Sequence, residues 1–201
     1  MRVPAVLPFA LLFTLLASTV GGAATTHEVS VQDNLFDPHD VSGKVGDSVH
    51  WSRTLVGNPH NVQEDGQLFR SGAPSPGPID FTVKFSAGKF HYFCEVHGSQ
   101  AGGMDGLVKV KPKILAKPPG LPFTVRWAST STETGSVFDV QYKVGTGKWK
   151  NWKKNVSGFK AVFGKNGKPV TVKKGKKYSL RARSQEGDIE SLWSPKASFK
   201  P

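Results

Sequence analysis

Residues 88–94 read Gly-Lys-Phe-His-Tyr-Phe-Cys, a β-strand that leads into a loop and places Cys94 at its end. The chain returns from that loop into residues 106–110, Gly-Leu-Val-Lys-Val, which form a second strand. Other short segments of this half, such as residues 27–31, alternate apolar and polar side chains and predict half-buried strands. A connection between two such strands can bring several side chains to one point.

Three side chains with metal-binding chemistry lie in or beside this connection. Cys94 is the only cysteine of the chain, Met104 is the only methionine besides the initiator, and His97 stands between them. A thiolate, an imidazole and a thioether are the side chains that a soft, redox-active copper ion prefers. His60, which follows a proline in an earlier loop, can supply a second imidazole. Two histidines, a cysteine and a weak axial methionine are the ligands of a blue-copper site.

Each of these residues also has an ordinary structural interpretation when it is taken alone. A lone cysteine in an apolar strand is commonly a small buried hydrophobe. A structural zinc site is the next metal candidate, but methionine suits zinc poorly and the chain lacks the further ligands that such a site needs. We interpret the remaining histidines as strand or loop residues without a ligand role; they are His27, His39, His50 and His91.

The N-terminus has the pattern of a secretory signal peptide, which we assign to residues 1–24. Arg2 is followed by a largely apolar run and then by small residues at 21–24. A membrane anchor is the alternative, because the run is nearly long enough to span a bilayer. Pro4 and Pro8 favour cleavage, so we expect a secreted, extracytoplasmic protein with no transmembrane segment after processing. A free cysteine in an oxidising compartment needs an explanation, and metal ligation supplies one.

Charge divides the remaining chain into two halves. Residues 25–111 carry 7 Lys and Arg against 10 Asp and Glu, a net charge of −3. Residues 112–201 carry 19 against 5, a net charge of +14. Repeated proline and glycine predict a linker at residues 112–119. We therefore predict one domain at 25–111 and a basic domain at 120–201, both built from strands because neither shows a long segment of helical periodicity.

The first half resembles the cupredoxins, particularly the plastocyanin and pseudoazurin group. The order His…Cys-x-x-His…Met between strands carries the resemblance, together with residues 45–51 (Val-Gly-Asp-Ser-Val-His-Trp), 59–61 (Pro-His-Asn), 88–94 and 103–104 (Gly-Met). It covers about residues 26–111 and implies a Greek-key β-sandwich with one type 1 copper ion that cycles between Cu(I) and Cu(II). The ligands it implies are His60, Cys94 and His97 in the equatorial plane, with Met104 as the axial ligand.

The same resemblance implies roles for two more features of the loops. Asn61 would brace the ligand loops by hydrogen bonds, and the edge of His97 would reach the surface and pass the electron. Six residues separate His97 from Met104, where plastocyanin-like loops usually have four. We expect three glycines, at 98, 102 and 103, to make this longer loop flexible enough to return. Gln100 is the alternative axial ligand, because an amide oxygen can take that position.

The second half resembles a fibronectin type III domain. The segments that carry this similarity are residues 125–127, 138–142, 178–183 and 191–195, the last of which reads Ser-Leu-Trp-Ser-Pro. The resemblance implies an immunoglobulin-like β-sandwich with Trp127 in its core and Tyr178 as a corner tyrosine. The predicted fold class is therefore all-β, a Greek-key cupredoxin sandwich followed by a C-terminal immunoglobulin-like sandwich.

These features together predict an exported blue copper protein that transfers single electrons between protein redox partners. The alternatives are copper storage or delivery without electron transfer, and an extracellular adhesion or interaction module. We expect no catalysis, because six histidines without a His-x-His pair do not supply the further copper sites of the copper oxidases. The chain also has no hydrolase or phosphate-loop motif.

The lysines of the second half permit two interpretations. One group surrounds Trp149 and Trp152, and another lies at residues 173–177. Such residues can form a solvated face that keeps the protein soluble, or a surface that attracts an anionic cell-wall or surface polymer. Specific nucleic-acid binding is not expected, because no recognition motif accompanies the lysines.

Overall fold

A computed structural model of the chain describes residues 23–115, 122–130 and 134–201. Residues 1–22 of the predicted signal peptide and residues 116–119 of the predicted linker lie outside the described residues. The described residues form two β-sandwiches, so the all-β prediction is confirmed. Within this part of the chain, no helix is both long enough and apolar enough to cross a membrane.

The first sandwich is built from two four-stranded sheets. Its strands are β1 (Thr26–Gln32), β2 (Leu35–Asp37), β3 (Asp40–Lys44), β4 (Ser48–Arg53), β5 (Gln63–Glu64), β6 (Ile79–Lys84), β7 (Gly88–Ser99) and β8 (Gly102–Lys111). One sheet has the order β2-β1-β4-β6 and the other has the order β3-β8-β7-β5. β1 pairs in parallel with β4, and β3 in parallel with β8, whereas the other pairs are antiparallel.

An aromatic cluster around Trp51 fills the space between these sheets. Trp51 is fully buried, and its ring lies 5.1–6.2 Å from four other aromatic rings, those of Phe69, Phe81, Phe85 and Tyr92. Side chains alternate in and out along β7, so that Phe90, Tyr92 and Cys94 all point into this core. The alternation of β7 therefore carries the thiol of Cys94 inside the sandwich.

The second sandwich has a three-stranded and a five-stranded sheet. Its strands are β9 (Lys113–Leu115), β10 (Phe123–Arg126), β11 (Val137–Val144), β12 (Lys150–Val156), β13 (Lys160–Phe163), β14 (Tyr178–Glu186), β15 (Ile189–Glu190) and β16 (Ala197–Phe199), with a 3₁₀ turn at Lys165–Gly167. The sheets have the orders β13-β10-β9 and β12-β11-β14-β15, and β16 also pairs with β14.

The predicted linker contains a strand of the second sandwich. Residues 113–115 pair with residues 124–126 as β9 and β10, and Ile114 packs against the second core.

Two aromatic residues predicted from the sequence, Trp127 and Tyr178, lie where an immunoglobulin-like sandwich places them. Trp127 is buried and donates its indole N–H to the carbonyl oxygen of Gly158 at 2.7 Å. The Tyr178 hydroxyl accepts the backbone N–H of Lys173 at 2.7 Å, as in a tyrosine corner.

The two sandwiches are joined by hydrogen bonds at the start of β7. The backbone N–H of Ala87 donates to the carbonyl oxygen of Trp127 at 2.6 Å, and Lys89 and Leu192 exchange two backbone hydrogen bonds at 3.0 Å. The buried Ser86 hydroxyl donates to the backbone oxygen of Thr134 at 2.9 Å. β7 is thus fixed to the second sandwich at one end and carries Cys94 towards the other.

His91, on the outer face of β7, makes the stability of the first sandwich depend on pH. Its Nδ1 lies 2.7 Å from an Asp65 oxygen, and its Nε2 lies 3.0 Å from an Asp105 oxygen. Partial burial lowers the pKa of the imidazole, but the hydrogen bonds to both carboxylates outweigh it, so the net pKa is raised. The charged His91 ring therefore contributes its full stabilisation below the unfolded-state pKa of about 6.5. This contribution is lost as the pH rises through the higher pKa of the folded state.

We expect His91→Gln to lower the free energy of unfolding by on the order of 1 kcal/mol at about pH 5.5, and by much less at about pH 9. Glutamine keeps a hydrogen-bonding side chain but cannot take up the proton. Urea denaturation of the wild type and the variant at both pH values measures the difference. An equal loss at the two pH values would show that the ring stabilises the fold without its charge.

Candidate metal centre

His60, Cys94 and His97 bring three donor atoms together at one end of the first sandwich. Cys94 Sγ lies 3.6 Å from His60 Nδ1 and 3.7 Å from His97 Nδ1, and the two Nδ1 atoms are 3.1 Å apart. Among the described residues, this is the one group of three or more His, Cys, Asp or Glu side chains arranged to hold a single metal ion. The three residues predicted as equatorial ligands are therefore neighbours in the structure.

Two separate parts of the fold position these donors. Cys94 points inward from β7, and the pairing of β7 with β8 shifts register between Phe93 and Gly98, so that His97 lies in the irregular stretch. Such a bulge bends a strand and re-aims its side chains. His60 lies in the connection between β4 and β5, where its backbone exchanges hydrogen bonds of 3.0 and 3.1 Å with Ser75. The site therefore depends on long-range contacts.

The connection from His97 to Met104 is a β-hairpin, which corrects the expectation of a flexible loop. β7 continues to residue 99 and β8 begins at residue 102, so that the turn itself contains only Gln100 and Ala101. Gly98 pairs with Gly103 on the two sides of this hairpin. The residues beyond the usual four between His97 and Met104 therefore extend the pairing of β7 with β8, and backbone hydrogen bonds restrict their motion.

The glycines of this hairpin serve close approach of the two strands. A Cβ at Gly98 would lie 2.4 Å from the carbonyl oxygen of Met104, and one at Gly103 would lie 2.7 Å from that of His97. Gly102 and Gly103 also have φ values of +122° and +104°, which L-residues rarely adopt. Only glycine fits these contacts, and the backbones that carry His97 and Met104 can thus lie side by side.

Met104 and Gln100, the two candidates for the axial position, have opposite environments. Met104 is 1% exposed and belongs to the same buried cluster as Cys94, opposite the irregular stretch of β7. Gln100 is exposed in the turn and donates its amide N–H to the backbone oxygen of Asp65 at 2.9 Å. Burial therefore favours the thioether of Met104 as the fourth donor.

Asp33 and Arg53 hold His60 from its outer side, and the sequence had not singled out either residue. His60 Nε2 donates to Asp33 Oδ1 at 3.1 Å, which leaves the lone pair of Nδ1 directed towards Cys94. Arg53 Nη2 donates to the same carboxylate oxygen at 3.0 Å. Its other N–H groups bind the backbone oxygens of Leu55 and Asn58 at 3.1 and 3.0 Å, in the connection that leads to His60.

The sequence of β4 does indicate that Arg53 is buried and has polar partners. It follows Val49 and Trp51 at the inward positions of β4, and all three side chains are buried. A buried guanidinium requires partners, since an unpaired charge away from water is costly. An arginine in the apolar series of an alternating strand therefore predicts a polar network, although it does not identify Asp33 as the partner.

Asn61 connects the two ligand-bearing segments, and its predicted bracing role is confirmed. Its Oδ1 accepts the backbone N–H of Glu95 at 2.9 Å, next to Cys94, and its Nδ2 donates to the carbonyl oxygen of Gly72 at 2.9 Å. Nδ2 also donates to the Glu95 carboxylate, which accepts a hydrogen bond of 2.6 Å from Arg70 Nη2. A lateral shift of one ligand segment would break this network.

The other four histidines lie outside the donor cluster and pair with carboxylates. The contacts are His27 with Asp47 at 3.2 Å, His39 with Asp40 at 2.7 Å, His50 with Glu28 at 2.7 Å and His91 with Asp65 at 2.7 Å. Hydrogen bonds to Glu28 and then Asp80 raise the pKa of His50. These contacts agree with their interpretation as strand and loop residues.

The three converging donors fit a copper ion in size and in chemistry. A point equidistant from three atoms at these separations lies about 2.0 Å from each, within the range of about 2.0–2.3 Å for zinc bonds to nitrogen and sulfur. A trigonal set of one thiolate and two imidazoles, with a thioether at longer range, selects copper. Cys94 and His60 are buried and His97 is half-buried, so the set is closed to solvent except at His97.

Comparison with known proteins supports the cupredoxin resemblance for the N-terminal region. No protein-family model matches the chain. The chloroplastic plastocyanin of Tetradesmus obliquus is 37% identical over 89 residues, an alignment that covers 38% of this chain and 59% of the plastocyanin. The chain therefore spans less than two thirds of the length of this relative. The N-terminal region is similar in sequence to a cupredoxin.

Solved structures resemble the chain more weakly. A Sinorhizobium pseudoazurin has a TM-score of 0.32 and 21% identity, over 43% of this chain and 73% of its own. A substituted amicyanin in the Cu(I) state has a TM-score of 0.30 and 21% identity, over 43% and 82%. The chicken CNTN1 FN1-FN3 domains have a TM-score of 0.34 and 8% identity, over 80% and 62%. These scores are low, and the architecture described above rests on the strands of the chain itself.

Gly103→Ala and Gly102→Ala form a matched pair that tests the close approach in the hairpin. Both positions have positive φ, so each substitution carries backbone strain of about 1 kcal/mol. Only at Gly103 would the new Cβ meet backbone, while nothing lies within 4 Å at Gly102. We expect Gly103→Ala to cost about 1–3 kcal/mol more in urea denaturation and to weaken copper binding in a titration. Equal effects of the two substitutions would contradict this account of the hairpin.

Proposed function

We propose that this chain is an exported blue copper protein that binds one type 1 copper ion and transfers single electrons between redox partners. The convergence of Cys94 Sγ with two imidazole Nδ1 atoms carries the proposal. His60, Cys94 and His97 would hold the ion, with Met104 as the weak axial ligand. A bound copper ion would supply the one-electron couple between Cu(II) and Cu(I). Export is proposed from the signal-like residues 1–24 alone.

The contribution of the protein is to restrain the ligands. Cu(I) and Cu(II) prefer different geometries, so a site with movable ligands has to rearrange at every transfer. Cys94 is fixed by the ladder of β7, and His60 is fixed by its hydrogen bond to Asp33. Asn61 ties the two segments together. Side chains held in this way would keep rearrangement small and transfer fast.

The surface around the ligand segments suits brief contact with a partner. Leu55, Val56 and Val96 lie in these segments and are 74%, 77% and 50% exposed. Exposed apolar side chains beside a site can contact a partner without the strong ion pairs that slow dissociation. The partner would approach here, and the half-buried ring of His97 would be the route of the electron.

Copper loading of the wild type tests the proposal. We expect a strong thiolate-to-copper absorption band at about 600 nm, which Cys94→Ala abolishes because it removes the thiolate. His39→Ala is the matched control, since this exposed histidine lies outside the donor cluster and the band should persist. A wild-type protein that stays colourless after loading would overturn the proposal. Slow or irreversible voltammetry of a blue protein would indicate storage or delivery of copper instead of electron transfer.

Substitution of Asp33 tests how the outer hydrogen bond of His60 acts on the site. Asp33→Asn keeps an acceptor for Nε2 but removes the negative charge, whereas Asp33→Ala removes both. We expect the reduction potential to rise in both variants, because the carboxylate favours the more highly charged Cu(II). Copper affinity should fall about tenfold, chiefly in Asp33→Ala, where the ring is no longer oriented.

Voltammetry and copper titration measure these two effects. Asp80→Asn is the control, because it removes the same charge from an exposed residue that pairs with His50. If the potential of both Asp33 variants equals that of the control, Asp33 has no influence on the metal centre.

A further inference from the structure

The second sandwich ends in a cluster of exposed lysines, which we call the lysine tip. Its members come from two connections, β11–β12 and β13–β14, and are Lys148, Lys165, Lys168, Lys173, Lys174, Lys176 and Lys177. The pairing of β11 with β14 runs from Val137 opposite Gln185 to Val144 opposite Tyr178. The second of these pairs adjoins both connections, so the lysines share one end of the sandwich.

Backbone hydrogen bonds hold the connections of the lysine tip together. The N–H of Gly145 donates to the carbonyl oxygen of Lys177 at 2.8 Å, and the N–H of Gly175 donates to a main-chain oxygen of Pro201 at 2.7 Å. The N–H of Lys173 donates to the buried Tyr178 hydroxyl at 2.7 Å. The lysine tip is therefore an ordered part of the sandwich, and its charges are held near one another.

The charge of the lysine tip is not neutralised within the protein. From residue 140 to residue 185 the chain has 14 Lys and Arg and no Asp or Glu. The acidic residues that flank this stretch in sequence are Asp139 and Glu186, and Arg183 pairs with Asp139 and with Glu190. Among the described residues, no carboxylate forms an ion pair with a lysine of the tip. Seven like charges that lack internal partners favour an external polyanion.

The lysine tip and the metal centre lie at opposite sides of the interface between the sandwiches. β14 runs from Tyr178 at the tip to Glu186, and the residues that follow β14 contact the start of β7 through Leu192 and Lys89. β7 then runs away from this interface to Cys94. Both surfaces therefore face away from the interface, and a ligand at the lysine tip would leave the metal centre accessible.

We propose that the lysine tip binds a flexible, phosphate-bearing polymer and tethers the metal centre to it. Lys173, Lys174 and Lys176 lie on a β-turn in which the N–H of Lys176 donates to the carbonyl oxygen of Lys173 at 3.3 Å, and Lys148 comes from the other connection. The exposed charges thus surround the tip, and a flexible chain can follow them better than a flat surface can. Lysine binds phosphate as a point charge, without the geometric demands of arginine.

Two other anionic partners fit the lysine tip less well. Its two connections contain none of the exposed large apolar residues of the described chain, so it offers nothing to insert into a bilayer. Two aromatic residues adjoin tip lysines in sequence: Tyr178 is buried, and the half-buried Trp149 has Arg181 and Lys143 over its ring at 4.4 and 5.1 Å. That ring is therefore not open for stacking with nucleic-acid bases.

Binding of the full chain to inorganic polyphosphate at several salt concentrations tests the proposal. The tip variant replaces Lys173, Lys174, Lys176 and Lys177 with Gln, and the control variant replaces Lys111, Lys154, Lys160 and Lys196, which are exposed lysines elsewhere. Both lose the same charge. We expect the tip variant to bind polyphosphate at least about tenfold more weakly. The slope of log K against log salt concentration should fall by about 3, because each of the four replaced lysines contributes about 0.7 to it. The control should change less than about threefold.

Equal weakening in the two variants would overturn the proposal, because it would show diffuse attraction to a basic protein. Vesicles rich in phosphatidylglycerol and duplex DNA are the competing probes. Tip-dependent binding to either one that is tighter than binding to polyphosphate would also overturn it. Circular dichroism and urea denaturation of each variant show that both sandwiches remain folded. Tip-dependent polyphosphate binding by a protein that takes up no copper would separate this inference from the proposed function.

Discussion

The pairing of β7 with β8 beyond Cys94 is the constraint on which the metal centre depends. β7 supplies Cys94 from its regular part and His97 from its bulge, and β8 begins with the segment that contains Met104. The strands can approach because Gly98 and Gly103 face each other without side chains. One hairpin thus fixes the relative positions of three of the four proposed ligands, and only His60 has to be brought in from elsewhere.

A second set of contacts brings His60 to the hairpin. Asp33 and Arg53 hold its ring and the preceding backbone, while Asn61 links the following residue to Glu95. Arg53 is buried, so loss of Asp33 would leave a charge away from water without its carboxylate partner. Hydrogen bonds within the protein therefore position the ligand segments. This pre-organisation is what a site for rapid electron transfer requires.

The sequence predicted the strands and the donors better than it predicted their supports. Alternation along β7 and β4 shows which side chains point inward, and the rarity of cysteine and methionine identified Cys94 and Met104. Alternation does not show which distant residue meets a buried group, so Asp33 was not found. A glycine can make a loop flexible or can let two strands approach closely. The sequence of the hairpin does not show which of these two roles its glycines have. Residues 113–115 were assigned to a linker because nearby prolines outweighed their short strand pattern.

X-ray absorption at the copper edge of the loaded protein, in both oxidation states, measures the ligand set and its rearrangement on reduction. We predict one sulfur and two nitrogen neighbours at about 2.0–2.3 Å, with distances that change little between Cu(II) and Cu(I) because the fold holds the ligands. A first shell of oxygen and nitrogen without the short sulfur distance would contradict the ligand set. A large change in coordination on reduction would show that the hairpin and the contacts of His60 do not restrain the ligands.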